Sequence, residues 1–134
     1  MSRGKRSGRG NTSQTGAWSM GATRVGVGVA FLAAPRVMAA GCVGPETAAE
    51  PRLDALVRAV GVRELVLGAG IVSALARGRP VRKWLVAGVV ADLADVAATV
   101  AFRDRLPKEK AAVVAATALG SAATGAHFVY HLER

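Results

Sequence analysis

Residues 84–102 read WLVAGVVADLADVAATVAF, an apolar run whose only charges are Asp92 and Asp95. As a helix rising about 1.5 Å per residue it reaches roughly 28 Å, close to the ~30 Å hydrocarbon thickness of a bilayer. The stretch predicts a membrane-spanning helix. On its C-terminal side the turn RDRLPKEK leads into residues 111–132, which carry no charge beyond their histidines and meet the strict length-and-charge test for a span. On its N-terminal side Arg77, Arg79, Arg82 and Lys83 crowd one short connection. Gly78 and Pro80 in that connection stop a helix expected over 55–76, whose first half holds Arg58, Arg63 and Glu64 ahead of the clean run LVLGAGIVSALA.

Further upstream, the first apolar stretch runs from Trp18 to Ala34, is interrupted by Arg24, and is closed by Pro35-Arg36. Residues 41–54, GCVGPETAAEPRLD, carry two prolines and an acidic bias that mark a loop. Residues 1–16 have no apolar residue beyond Met1 and cannot bury enough surface to offset the entropy of ordering. The expected fold class is therefore all-α: a four-transmembrane-helix bundle over residues 17–134, with helices at about 18–34, 55–76, 84–102 and 111–132, preceded by a disordered basic tail over 1–16.

Composition supports the same class. The chain is 51% hydrophobic and only 4% aromatic, with a mean hydropathy of +0.32. The apolar excess is Ala, Val, Leu and Gly, the small residues that let helices approach closely in lipid. A soluble Ala-rich bundle is the alternative, because three of the four expected spans contain formal charges. The net charge of +9 brackets the apolar segments rather than covering one face, which argues for membrane topology and against a nucleic-acid partner. The positive-inside rule then places the N-terminus and residues 77–83 in the cytoplasm of a multi-pass cell-membrane protein, although residues 103–110 are also basic and would lie outside. The basic tail can contact anionic lipid. The single cysteine, Cys42, excludes an intramolecular disulfide and a multi-Cys zinc site. VGVGVAFLAA followed by MAAGC resembles a lipoprotein signal, but Pro35 and Arg36 interrupt it.

At 3.6 residues per turn each expected helix carries a seam of small and polar residues. The seams are Gly21, Arg24, Gly28; then Gly61, Glu64, Gly68; then Gly88, Asp92, Asp95, Thr99; and last Gly120, Thr124, His127, His131. In lipid such seams should face one another. Depths along antiparallel helices put Glu64 level with Asp95, so that Arg63 can bridge to Asp95 or Asp92, and put Arg24, Asp92 and His127 in a neighbouring layer. The expected buried polar cluster is Arg24, Arg63, Glu64, Asp92, Asp95 and His127. Counting Arg58, three cations meet three carboxylates, so the interior needs no external ion.

Those residues serve first as fold-specifying ion pairs. Two further readings use them chemically. An intramembrane carboxylate could carry protons in a small oligomeric transporter; His127 and His131 with Asp92 and Asp95 could hold a metal in a membrane enzyme. Small exporters resemble a different pattern, with an acidic residue in the first helix and many aromatics, and His131 sits at the expected interface where no ligand is needed. No catalytic residue, cofactor or metal ligand is therefore assigned. Trp18 and Trp84 follow as interfacial anchors, and the glycines of LGAG form no dinucleotide fingerprint. The expectation is a non-enzymatic membrane protein acting through packing or a partner, with homo-oligomers open to it.

RAVGVRELVLGAG at 58–70 with ADLAD some twenty residues later resembles a pattern in small actinobacterial integral membrane proteins of unknown function, a Gly-x-Arg-Glu/Asp helix before an Asp-x-x-Asp helix. The pair also resembles the hydrophobic N-terminal region of some cyclase/dehydrase-like proteins, from which it departs by having Ala91 and Gly88 where those have glycine and arginine. The matching positions are Gly61, Arg63, Glu64, Gly68, Asp92 and Asp95, over about forty residues. The resemblance implies no activity; it implies that Arg63, Glu64, Asp92 and Asp95 act as one unit.

Overall fold

The computed structural model describes residues 6–132, with side chains from residue 12 onward. Within them the chain is all-α: α1 Arg6–Ala33, α2 Pro35–Val43, α3 Pro45–Ala48, α4 Pro51–Ala76, α5 Arg82–Ala101 and α6 Lys108–His131, with one 3₁₀ turn at Arg103–Arg105. Three of these, α4, α5 and α6, are long and apolar enough to cross a membrane; the bent pair α1–α2 makes a fourth if it is counted as one span.

Two features differ from the sequence expectation. Helix begins by Arg6 rather than near residue 18, so residues 6–16 are helical, while the expected disorder of residues 1–5 lies outside the described residues. The extension is held from α6: a Cβ added at Gly16 would lie 2.5 Å from the Phe128 ring, and neighbouring Ala17 is fully buried. The second difference is at Pro35. The chain does break there, but Pro35 opens a new helix at its first position, where a missing N–H costs nothing, and α2 turns 106° away from α1. Much of the expected 41–54 loop is thus helical.

The break strands carbonyls at the end of α1, because Pro35 has no N–H and the residues after it point elsewhere. Arg58 answers one of them: its Nη1 donates to the Leu32 carbonyl in the last turn of α1. Beside it Arg36 pairs with Asp54 at 3.5 Å. Arg58 therefore does not belong to the interior charge count.

α1 packs most extensively on α4, and α5 on α6, forming two antiparallel pairs with less contact between them. Glycines set the first pairing. A Cβ on Gly28 would approach the Leu65 nitrogen to 2.6 Å, and one on Gly68 would approach the Gly21 carbonyl to 2.6 Å, so the two backbones touch. Apolar clusters close the two ends. One gathers Ala17, Ile71, Ala74, Val81, Leu85 and Phe128; the other gathers Ala39, Ala48 and Val57 with Phe31 and Leu53. Between them the interior is charged, whereas Val29, Val62, Val66, Val90, Leu93, Val100, Val113 and Leu119 face outward. A charged layer buried beneath an apolar exterior is unusual in a water-soluble bundle.

Candidate functional site

The interior charges come from the helix seams. Gly21, Arg24 and Gly28 on α1 repeat the spacing of Gly61, Glu64 and Gly68 on α4. Run antiparallel, Gly28 meets Gly61, Gly21 meets Gly68, and the two charged residues meet between them. Arg24 Nη1 donates to Glu64 Oε2 at 2.6 Å. Its Nη2 donates to Asp92 Oδ2 on α5 and, at 3.1 Å, to Ser121 Oγ on α6. One guanidinium thus touches all four long helices. Gly88 makes room for it, since a Cβ there would lie 3.2 Å from Nη2.

Arg24, Glu64 and Asp92 are 5%, 7% and 4% exposed. Charges this desolvated persist only when paired and hydrogen-bonded. The second layer is more open. Arg63 forms a two-pronged pair with Asp95, Nη1 to Oδ1 at 2.8 Å and Nη2 to Oδ2 at 2.6 Å, the geometry in which a guanidinium binds a carboxylate best. It also reaches Glu64 Oε1 at 3.0 Å, which joins the two layers. The Arg63 and Asp95 side chains are 31% and 37% exposed. Thr99 returns its hydroxyl to the Asp95 carbonyl at 2.8 Å, which settles a buried polar group within its own helix.

Of the six residues expected in the cluster, Arg24, Arg63, Glu64, Asp92 and Asp95 come together. His127 does not. It is exposed, its ring against Phe128 and His131, and the whole expected seam of Gly120, Thr124, His127 and His131 faces outward. Instead α6 turns in Ala122, Gly125 and Phe128, roughly a third of a turn away. Phe128 is the largest apolar side chain on that helix and packs on Gly16, while Gly125 lets Val89 approach to 2.8 Å of its would-be Cβ. With the histidines directed away from Asp92 and Asp95, the described residues hold no group of three or more metal-ligating side chains.

Sequence reading missed Ser121 as a partner of Arg24 and missed the direct Arg24–Glu64 pair. A signal for the pair was present: a charged residue at the same place between two glycines seven apart, with opposite sign, on two helices. For Ser121, no comparable signal exists. The expected charge balance also changes. With Arg58 elsewhere, two guanidiniums face three carboxylates.

Comparison with known proteins finds no family model, curated protein or solved structure that matches this chain.

Proposed function

We propose that the chain is a non-enzymatic integral protein of the cell membrane, in which the Arg24–Glu64–Asp92 and Arg63–Asp95 network joins two helix pairs into one packed unit that serves partners or copies of itself. The observation that carries this reading is the distribution of polarity. Valine and leucine side chains cover the outside of helices long enough to span, and the charges are paired with one another inside.

The topology that fits is N-terminus inside. α1 begins at the same end of the bundle as the Arg77–Lys83 turn, as its packing of Ala17 with Ile71, Val81 and Leu85 requires, and both are basic. A small proton-linked transporter is the second reading, favoured by one observation: the excess of one carboxylate over guanidiniums, with Asp95 partly open to its surroundings. The resemblance to small actinobacterial membrane proteins agrees with the first reading and adds no activity.

The test is fractionation of a tagged chain with carbonate and high-salt washes, followed by labelling of cysteines placed in 77–83 and 103–110. Retention in the membrane with opposite-side labelling is expected. Release into the soluble fraction would overturn the membrane reading, and a proton flux lost in Asp95→Asn with the fold retained would favour transport.

A further inference from the structure

At the end of the bundle marked by the Arg77–Lys83 turn, a crevice of about 910 Å³ lies between α4 and α5. Its rim is the Arg77–Lys83 turn. Gly78, at φ +60°, ends α4 in a left-handed cap in which the Gly78 and Arg79 N–H groups return to the Leu75 and Ala74 carbonyls at 3.1 and 2.8 Å. That cap and the following Pro80 hold Arg77, Arg79, Arg82 and Lys83 around the opening. None of the lining residues is acidic, and among the described residues no carboxylate pairs with Arg77, Arg79 or Lys83.

Below the rim the walls change character to Gly70, Ala74, Val86 and Ala87. Trp84 lies flat on the bare backbone of Gly70, where a Cβ would come within 2.2 Å of its ring, and Lys83 Nζ stands 5.7 Å from the same ring. A cationic mouth above an apolar slot, at the end of helices long enough to span, suits an anionic headgroup with its acyl chain directed along the helices.

We infer that this crevice is a binding site for an anionic glycerophospholipid, its phosphate held by the Arg77–Lys83 rim and its chain lying beside Trp84 and Val86. The inference rests on the membrane reading above. The opposite end of the bundle lacks this arrangement: Arg103, Arg105, Lys108 and Lys110 are interleaved with Asp104 and Glu109, and Arg103 already faces Asp104 at 3.8 Å.

The test uses the full chain in uncharged detergent micelles with Trp18→Phe, which leaves Trp84 as the reporter, titrated with dioctanoyl phosphatidylglycerol, dioctanoyl phosphatidylcholine and inorganic phosphate. Saturable change in Trp84 emission is expected with phosphatidylglycerol alone. Arg77→Gln/Arg79→Gln should weaken it about twenty-five-fold, as two cations each contributing roughly a five-fold factor imply, while Arg103→Gln/Arg105→Gln should leave it unchanged. Equal loss in both double variants, or an equal response to phosphatidylcholine, would overturn the site. An equal response to inorganic phosphate would replace the lipid by a soluble anion and overturn it as well. Because both double variants change exposed side chains, misfolding does not obscure the result. A chain that resists carbonate extraction yet ignores phosphatidylglycerol refutes the lipid site alone; a chain that washes free refutes the membrane reading.

Discussion

Replacing Arg24 by glutamine removes the guanidinium that Glu64 and Asp92 share and leaves two carboxylates in a space where each side chain is no more than 10% exposed. Taking one partner from a buried pair costs about 3–5 kcal/mol, because the remaining charge keeps its desolvation penalty and loses its compensation. Glutamine can still donate to one carboxylate, which places the expected loss near the lower end, about 3 kcal/mol. The α1–α4 contact survives through its glycines, so the loss should fall on the junction between the two helix pairs. Reversible unfolding in mixed micelles with increasing dodecyl sulfate, followed by tryptophan emission, measures it. Asp92→Asn in the same background then separates burial from pairing: residues in direct contact couple by about 0.5–3 kcal/mol, so the double variant should be clearly more stable than the sum of the single losses. A loss below about 1 kcal/mol together with strict additivity would refute the claim that Arg24 joins the four helices.

Three further outcomes follow from the same geometry. Asp95→Asn should cost about 1 kcal/mol in that assay, less than Asp92→Asn at about 3 kcal/mol, because Asp95 and Arg63 keep partial access to their surroundings while Asp92 does not; the reverse order would show that the open layer carries the fold. Gly28→Ala should destabilise by about 1–3 kcal/mol by driving a methyl into the α4 backbone, whereas Gly26→Ala, with nothing within 4 Å, should be neutral or stabilising by up to about 1 kcal/mol. His127→Ala should stay within about 0.5 kcal/mol of the parent, as for any outward-facing side chain free of burial or charge pairing; a larger loss would restore it to the interior.

The helical class, the three long spans and the break at Pro35 were all legible in the chain, because each depends on local composition: run length for a span, and the absent N–H for the break. The grouping of Arg63 with Asp95 was legible as well, since rise per residue fixes depth once two helices are joined by a short turn. Helix α6 shows where such reasoning stops. A helical wheel states that Gly120, Thr124, His127 and His131 share one face and that Ala122, Gly125 and Phe128 share another. Both faces contain small residues, so periodicity does not rank them. The contact of Phe128 with Gly16 and of Ser121 with Arg24 ranks them, and both partners lie about a hundred residues away.

The sequence by itself therefore determined the all-α class, the three long apolar helices, the break at Pro35, and that charged residues would have to be hidden from their surroundings, since these follow from local composition and from the cost of unpaired polar groups along a single segment; it did not show the helix over residues 6–16 or the short helices within 41–54. Only the tertiary structure decided which charges meet Arg24. It set Arg24 rather than Arg58 or His127 in the interior, left two guanidiniums facing three carboxylates, and opened the basic crevice between α4 and α5. The reason is rotational: a charge on a helix finds its partner only when the azimuth of every neighbouring helix is fixed, and that azimuth is set by the sum of close contacts between distant glycines and side chains.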